Sequence, residues 1–65
     1  MRQLYVPKLR DLRERSFLSM DELAKKSDVS KMTIYRLENA KGIARPSTVR
    51  KLAEALGVKP EELTG

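Results

Sequence analysis

The 65-residue chain has no cysteine, no histidine and no tryptophan, and carries only three glycines, three prolines, two tyrosines and one phenylalanine. Without cysteine, no disulfide or thiolate–metal framework can staple a small domain. Without histidine, the commonest metal ligand and the commonest general base are both missing. A catalytic centre would need paired carboxylates or a glycine-rich phosphate loop, but no such loop is present and the acids are scattered; neighbours such as Glu61 and Glu62 point in different directions on a helix. The expectation is a chain with no enzymatic activity, no cofactor and no metal. No apolar run approaches the ~18 residues of a membrane span, and the start "MRQLYVPKLR" lacks the apolar stretch of a secretory signal. A soluble protein of the reducing cytoplasm is therefore expected. A chain this short buries only ~60% of its unfolded surface, so its stability must come from tight packing of one small core.

What the chain does have is charge in one place. Its net charge is +5, and residues 31–51 hold Lys31, Arg36, Lys41, Arg45, Arg50 and Lys51 against the single acid Glu38, so this third accounts for the whole excess. A localised basic patch suits a polyanion. An ordinary solvated helix surface would account for the charge equally well.

The apolar spacing reads as helices throughout and no strand. Pro7 opens a first helix with Leu9 and Leu12 on one face, running to about Ser16. "SMDEL" places Ser19 and Glu22 three apart, the capping-box pattern, ahead of a second helix with Leu23 and Ala24 inward that ends near Ser27. Ser30 caps a third helix with Ile34 and Leu37 inward, which fades at "NAKG". Pro46 or Ser47 starts a fourth, where Val49, Leu52, Ala53 and Leu56 share a face before Gly57 closes it. A last turn, "KPEEL", directs Leu63 inward. The chain reads as one domain over residues 1–65, with no repeat, linker or low-complexity tract.

The third helix has an unusual wheel. With Lys31 at zero and ~100° per residue, Tyr35, Asn39, Met32 and Arg36 fall between ~40° and ~140°, whereas Thr33, Leu37 and Ile34 fall between ~200° and ~300°. One face is a narrow hydrophobic seam. The other is a run of long cations, an amide, a phenol and a thioether, groups able to meet base edges and phosphates. Arginine can bond guanine in pairs, an apolar tip can sit on a thymine methyl, and a helix of this width fits the ~12 Å major groove. Met32 and Tyr35 have a second reading, as satellite core folded over a neighbouring helix.

Taken together, the capped "LSMDELA", the turn "SDVS", the frame "TIYRLEN" and the late "RPSTVRKLAEALGV" resemble the helix-turn-helix domain of the phage-repressor and Cro type, the xenobiotic-response-element family, over residues 9–58. The resemblance implies a compact all-α domain of five helices, with 20–27 as the positioning helix and 31–39 as the recognition helix. It implies sequence-specific binding of double-stranded DNA by a transcriptional regulator, a repressor by preference. Ser30, Lys31, Met32, Tyr35 and Arg36 occupy the positions from which such domains reach bases. Asn39 and Lys41 match the phosphate-contacting end of the recognition helix, and Arg45 follows in the loop "AKGIARP". Glu38 matches a glutamate that in relatives pairs with an arginine of the first helix, here Arg13, which explains the lone acid of the basic third. Ala24 matches a small residue that lets the second and third helices approach closely.

The departures carry information as well. Relatives commonly place Gln where Met20 stands; methionine cannot make that strong phosphate bond, which leaves the backbone amides of the helix start to hold the phosphate. Phe17, Asp28 and Ala40 stand where relatives often have glycine. Aspartate tolerates a left-handed turn, but phenylalanine there is strained unless the first helix ends differently or packing compensates. Such domains act as two-fold dimers on palindromic operators, with the dimer contact implied at about Val58–Leu63. The charges of Glu61 and Glu62 then imply a monomer or weak homodimer in solution that pairs on DNA. An alternative is a protein-interaction module on the same fold, of the antitoxin or coactivator kind, anchored through Met32 and Tyr35.

Overall fold

The structure, a computed structural model, describes residues 4–39 and 43–64. In chain order the elements are β1 (Leu4–Tyr5), α1 (Leu9–Arg15), α2 (Met20–Ser27), α3 (Lys31–Asn39), β2 (Ile43–Ala44), α4 (Pro46–Leu56) and α5 (Pro60–Thr64). The five helices are those the apolar spacing predicts. The first begins two residues late, because Pro7 and Lys8 form a turn ahead of Leu9. The expectation of no strand is corrected by a two-residue antiparallel ribbon, in which Leu4 pairs with Ala44 and Tyr5 with Ile43. Two residues are too few to display the alternation that marks a strand, and the partners lie far apart in sequence. Among the described residues, no helix is long and apolar enough to cross a membrane.

Each helix end follows from its residues. Ser19 accepts a bond from the Glu22 amide at 3.1 Å while the Glu22 carboxylate accepts one from the Ser19 amide at 2.8 Å, completing the capping box. The bond from the Ser19 amide first, and then the nearby Ser19 hydroxyl, hold the Glu22 carboxyl below its ordinary range. Asp28 closes α2 at φ 60°, the left-handed turn its short side chain tolerates. Ser27, buried at this turn, donates to the Leu23 carbonyl and accepts from the Val29 amide, so its hydroxyl is satisfied without solvent. Ser30 then accepts from the Thr33 amide at 3.2 Å and starts α3.

α1 and α4 end in the same turn made from different residues. In α4 the amides of Gly57 and Val58 donate to the carbonyls of Glu54 and Ala53. In α1 the amides of Phe17 and Leu18 donate to those of Glu14 and Arg13. Both are Schellman closures, which require a left-handed residue at the first position past the cap. Gly57 takes φ 70° freely, whereas Phe17 takes φ 57° against its own Cβ. Packing does not compensate, since the Phe17 side chain is 92% exposed. The first helix therefore ends as a glycine would end it, with the strain retained.

The core gathers Leu9 from α1, Leu23 from α2, Ile34 and Leu37 from α3, Val49, Leu52 and Leu56 from α4, and Leu63 from α5, with Ala44 from the ribbon and Val6 just past β1. α2 packs against both α3 and α4, and Ala24 sits half-buried against this core. One buried ion pair joins it. Arg13 Nε and Nη2 donate to the two carboxylate oxygens of Glu38 at 2.7 and 2.9 Å, and Arg13 Nη1 donates to the Leu18 carbonyl at 2.8 Å. The Glu38 side chain has no exposure and that of Arg13 only 11%. The hydrogen bonds to Glu38, with its charge, raise the Arg13 pKa above the ordinary arginine value despite the opposing desolvation.

Removing either partner leaves a buried charge unanswered. Glu38→Ala and Arg13→Ala should each destabilise the fold by about 3 to 5 kcal/mol in urea unfolding, and replacing both by apolar residues should cost less than either single change. Equal midpoints for Glu38→Ala and the parent would show the pair to be superficial. Phe17→Gly should instead stabilise the protein by about 1 kcal/mol, because relief of the left-handed strain outweighs the added freedom of the unfolded glycine. A thermal melt at or below that of the parent would contradict this account of the turn.

Candidate nucleic-acid interface

α3 turns Ile34 and Leu37 into the core and leaves Lys31, Met32, Tyr35, Arg36 and Asn39 exposed along its outer side. Met32 is 76% and Tyr35 55% exposed, so neither folds over a neighbouring helix as satellite core. Arg36 makes no ion pair among the described residues and its guanidinium is available to an external acceptor. Glu38, the one acid of the basic third, has its carboxylate inside and bound by Arg13. The outer side of α3 therefore presents cations, a phenol and a thioether with no carboxylate of its own helix among them.

The remaining expected positions divide into several environments. The Ser30 hydroxyl, besides capping α3, donates to Thr33 Oγ1 at 2.8 Å, so any outside contact must use its remaining lone pair. Asn39 donates to the Tyr35 carbonyl at 2.9 Å, which fixes its amide against the last turn and leaves a second N–H without a partner among the described residues. Met20 begins α2 half-buried against the core, where its thioether has nothing to offer a phosphate. The Glu22 amide is taken by Ser19, which leaves the amides of Met20 and Asp21 at that helix start. Arg45 is exposed and stands immediately before Pro46 at the start of α4. Lys41 and Ala40 lie outside the described residues.

Two contacts escape a reading of the linear sequence. Arg13 bonds the Leu18 carbonyl as well as Glu38, tying the α1 turn to α3. Asp21 approaches Lys31 Nζ at 3.2 Å, bridging the first turns of α2 and α3. The first depends on how the chain turns after α1, and the second on how α2 and α3 cross.

Two short helices joined by a tight turn, the second with a polar outer side rich in cations, form the frame of a helix-turn-helix unit. Comparison with known proteins bears on this directly. Residues 9–63 match the family model described as Helix-turn-helix, extending past residue 58 to include α5. The chain is 48% identical over 56 residues to the HTH-type transcriptional repressor RghR of Bacillus subtilis (strain 168), a match covering 85% of this chain and 42% of that protein. It is 43% identical over 56 residues to the HTH-type transcriptional regulator RghRB of the same organism, covering 85% of this chain and 40% of that protein. The chain thus spans about two fifths of the length of these curated relatives. The crystal structure of the restriction-modification controller protein C.AhdI from Aeromonas hydrophila superposes with a TM-score of 0.81 at 32% identity, covering 86% of this chain and 85% of that one. With the family match, these relatives and the observed fold in agreement, the chain belongs to the helix-turn-helix family.

Proposed function

We propose that this chain is a sequence-specific DNA-binding unit of a transcriptional regulator, acting as a repressor, that reads the major groove with the outer side of α3. The observation that carries the proposal is the sorting of charge on that helix: Lys31, Arg36 and Tyr35 lie outside while the Glu38 side chain is wholly buried. A phosphate-lined groove would repel the reverse arrangement. Repression is favoured by the likeness to the transcriptional repressor RghR, and DNA-directed regulation by the family.

In this reading Arg36 and Tyr35 contact bases from the middle of the helix, Lys31 and Met32 from its first turn, and Ser30 through its spare lone pair. Asn39, Lys41 and Arg45 hold phosphates, joined by the backbone amides at Met20. The absence of histidine and cysteine supports a binding role without catalysis. The exposed Met32 and Tyr35 favour one competing reading, a protein-interaction surface on the same fold. Salt separates the two, because phosphate contacts weaken steeply as salt rises and an apolar contact does not.

α3 has nine residues, ~13 Å of helix, and can address only a few base pairs. Two copies on a palindrome would double the site, with half-site centres ~34 Å apart. In the segment implied for dimer contact, Leu63 is wholly buried in its own core and Val58 is half-buried, leaving Lys59, Pro60, Glu61 and Glu62 outside. That small charged surface favours a monomer or weak dimer in solution and pairing on DNA.

Arg36→Ala and Tyr35→Ala should each cost about 1 to 3 kcal/mol on the preferred duplex while leaving affinity for random duplex nearly intact. Equal losses on both duplexes would remove these residues from base reading. Selection of bound duplexes from a random pool should enrich paired, inverted half-sites about one helical turn apart. Enrichment of single half-sites with no fixed spacing would contradict the paired arrangement.

A further inference from the structure

A second acid stands beside the outer side of α3 and, unlike Glu38, stands in solvent. Asp21 lies in the first turn of α2, and its two carboxylate oxygens are 3.2 and 3.4 Å from Lys31 Nζ at the first turn of α3. Both side chains are more than half exposed. Such a pair does little for folding, because water screens it and two long side chains must be held still. Its position matters more than its strength. It occupies one cation of the candidate DNA surface, whereas Arg36 on the same side has no carboxylate partner among the described residues.

We propose that Asp21 is an internal competitor for phosphate at Lys31, which reduces the contribution of that cation to sequence-independent DNA affinity. The inference rests on the DNA-binding reading above and adds to it a residue that limits indiscriminate binding. Most non-specific affinity comes from cations that replace counterions condensed on the phosphates. When an unpaired lysine binds a phosphate, the counterion leaves for solution. When Lys31 does so it must first leave Asp21, and the freed carboxylate then faces the phosphates as an unpaired anion. The gain from counterion release is offset in part by that repulsion. Salt does not fully screen repulsion at such close range, since the Debye length is ~8 Å at physiological ionic strength. Base contacts made further along the helix by Tyr35 and Arg36 do not pass through this exchange. Asp21 thus lowers the background of binding more than it lowers the reading of sequence by Tyr35 and Arg36.

The test is the salt dependence of binding to a short duplex of random sequence, followed by fluorescence anisotropy for the parent, Asp21→Asn, Lys31→Met and the double variant. Asp21→Asn should bind about two- to fivefold tighter at low salt. Its plot of log affinity against log salt should be steeper, by up to about 0.9, the release expected for one added phosphate contact. The double variant should follow Lys31→Met. Thermal melts should be nearly unchanged throughout; if Asn at position 21 lowers the melt, Asp21→Ser serves in its place. Parallel plots for Asp21→Asn and the parent, with both binding, would overturn the competitor role alone. A gain that survived in the double variant would also overturn it, assigning the effect to the general field of Asp21. Absence of duplex binding by the parent at any salt would overturn both the competitor role and the DNA-binding reading.

Discussion

A carboxylate removed from water must be answered by a cation and by hydrogen bonds, or the chain around it will not stay folded. Glu38 is in that position, with no exposed side-chain surface in the last turns of α3. Arg13 answers it with two parallel bonds and spends a third donor on the carbonyl of Leu18, just past the end of α1. One guanidinium therefore fixes α1, the turn that follows it and α3. That turn sets the direction in which α2 leaves, and α2 in turn packs against α3. The aim of the α3 outer side is thus held from behind by a pair that never reaches the surface. The arrangement also keeps the one acid of the basic third out of the field that a polyanion would meet.

The sequence is legible where the physics is local. Ser19 with Glu22, Ser30 ahead of Thr33, Pro46 and Gly57 each act within one helical turn, and each forms the boundary its chemistry implies. The inward stripe of α4 is likewise legible, since periodicity alone sorts Val49, Leu52 and Leu56 to the core. Resemblance supplied what spacing could not, namely that Glu38 would find Arg13 across the fold. Its third bond, to Leu18, and the approach of Asp21 to Lys31 were beyond both, because one depends on the turn that closes α1 and the other on how α2 and α3 cross. Of the candidate contacts, the outward grouping of Lys31, Met32, Tyr35, Arg36 and Asn39 could be read from a wheel. The half-burial of Met20 and the involvement of Ser30 and Asn39 in bonds of their own could not.

Phe17 is the position where sequence and backbone disagree most. The same closure is made without strain by Gly57, so the geometry itself is ordinary and the residue is the exception. An exposed aromatic ring held at a left-handed position has no contact within the fold that explains it. Strain of this kind costs on the order of 1 to 2 kcal/mol and is carried by the rest of a small core.

The ribbon of β1 and β2 differs from everything else in the molecule in the distance along the chain that it spans. Helix and turn bonds form between neighbours, but Leu4 meets Ala44 only after α1, α2 and α3 have been brought into one closed loop. Closing a long loop costs entropy that a two-residue ladder can barely return, so the ribbon belongs late in folding and among the first parts to open. Val6, just past β1, and Ala44 bury their side chains beside it, and the Lys8 amide bonds the Leu63 carbonyl of α5. Opening it would part the two ends of that loop, β1 and β2. Slow amide exchange should then be concentrated in α2 and α4, while the ribbon amides exchange through partial opening long before the helices come apart.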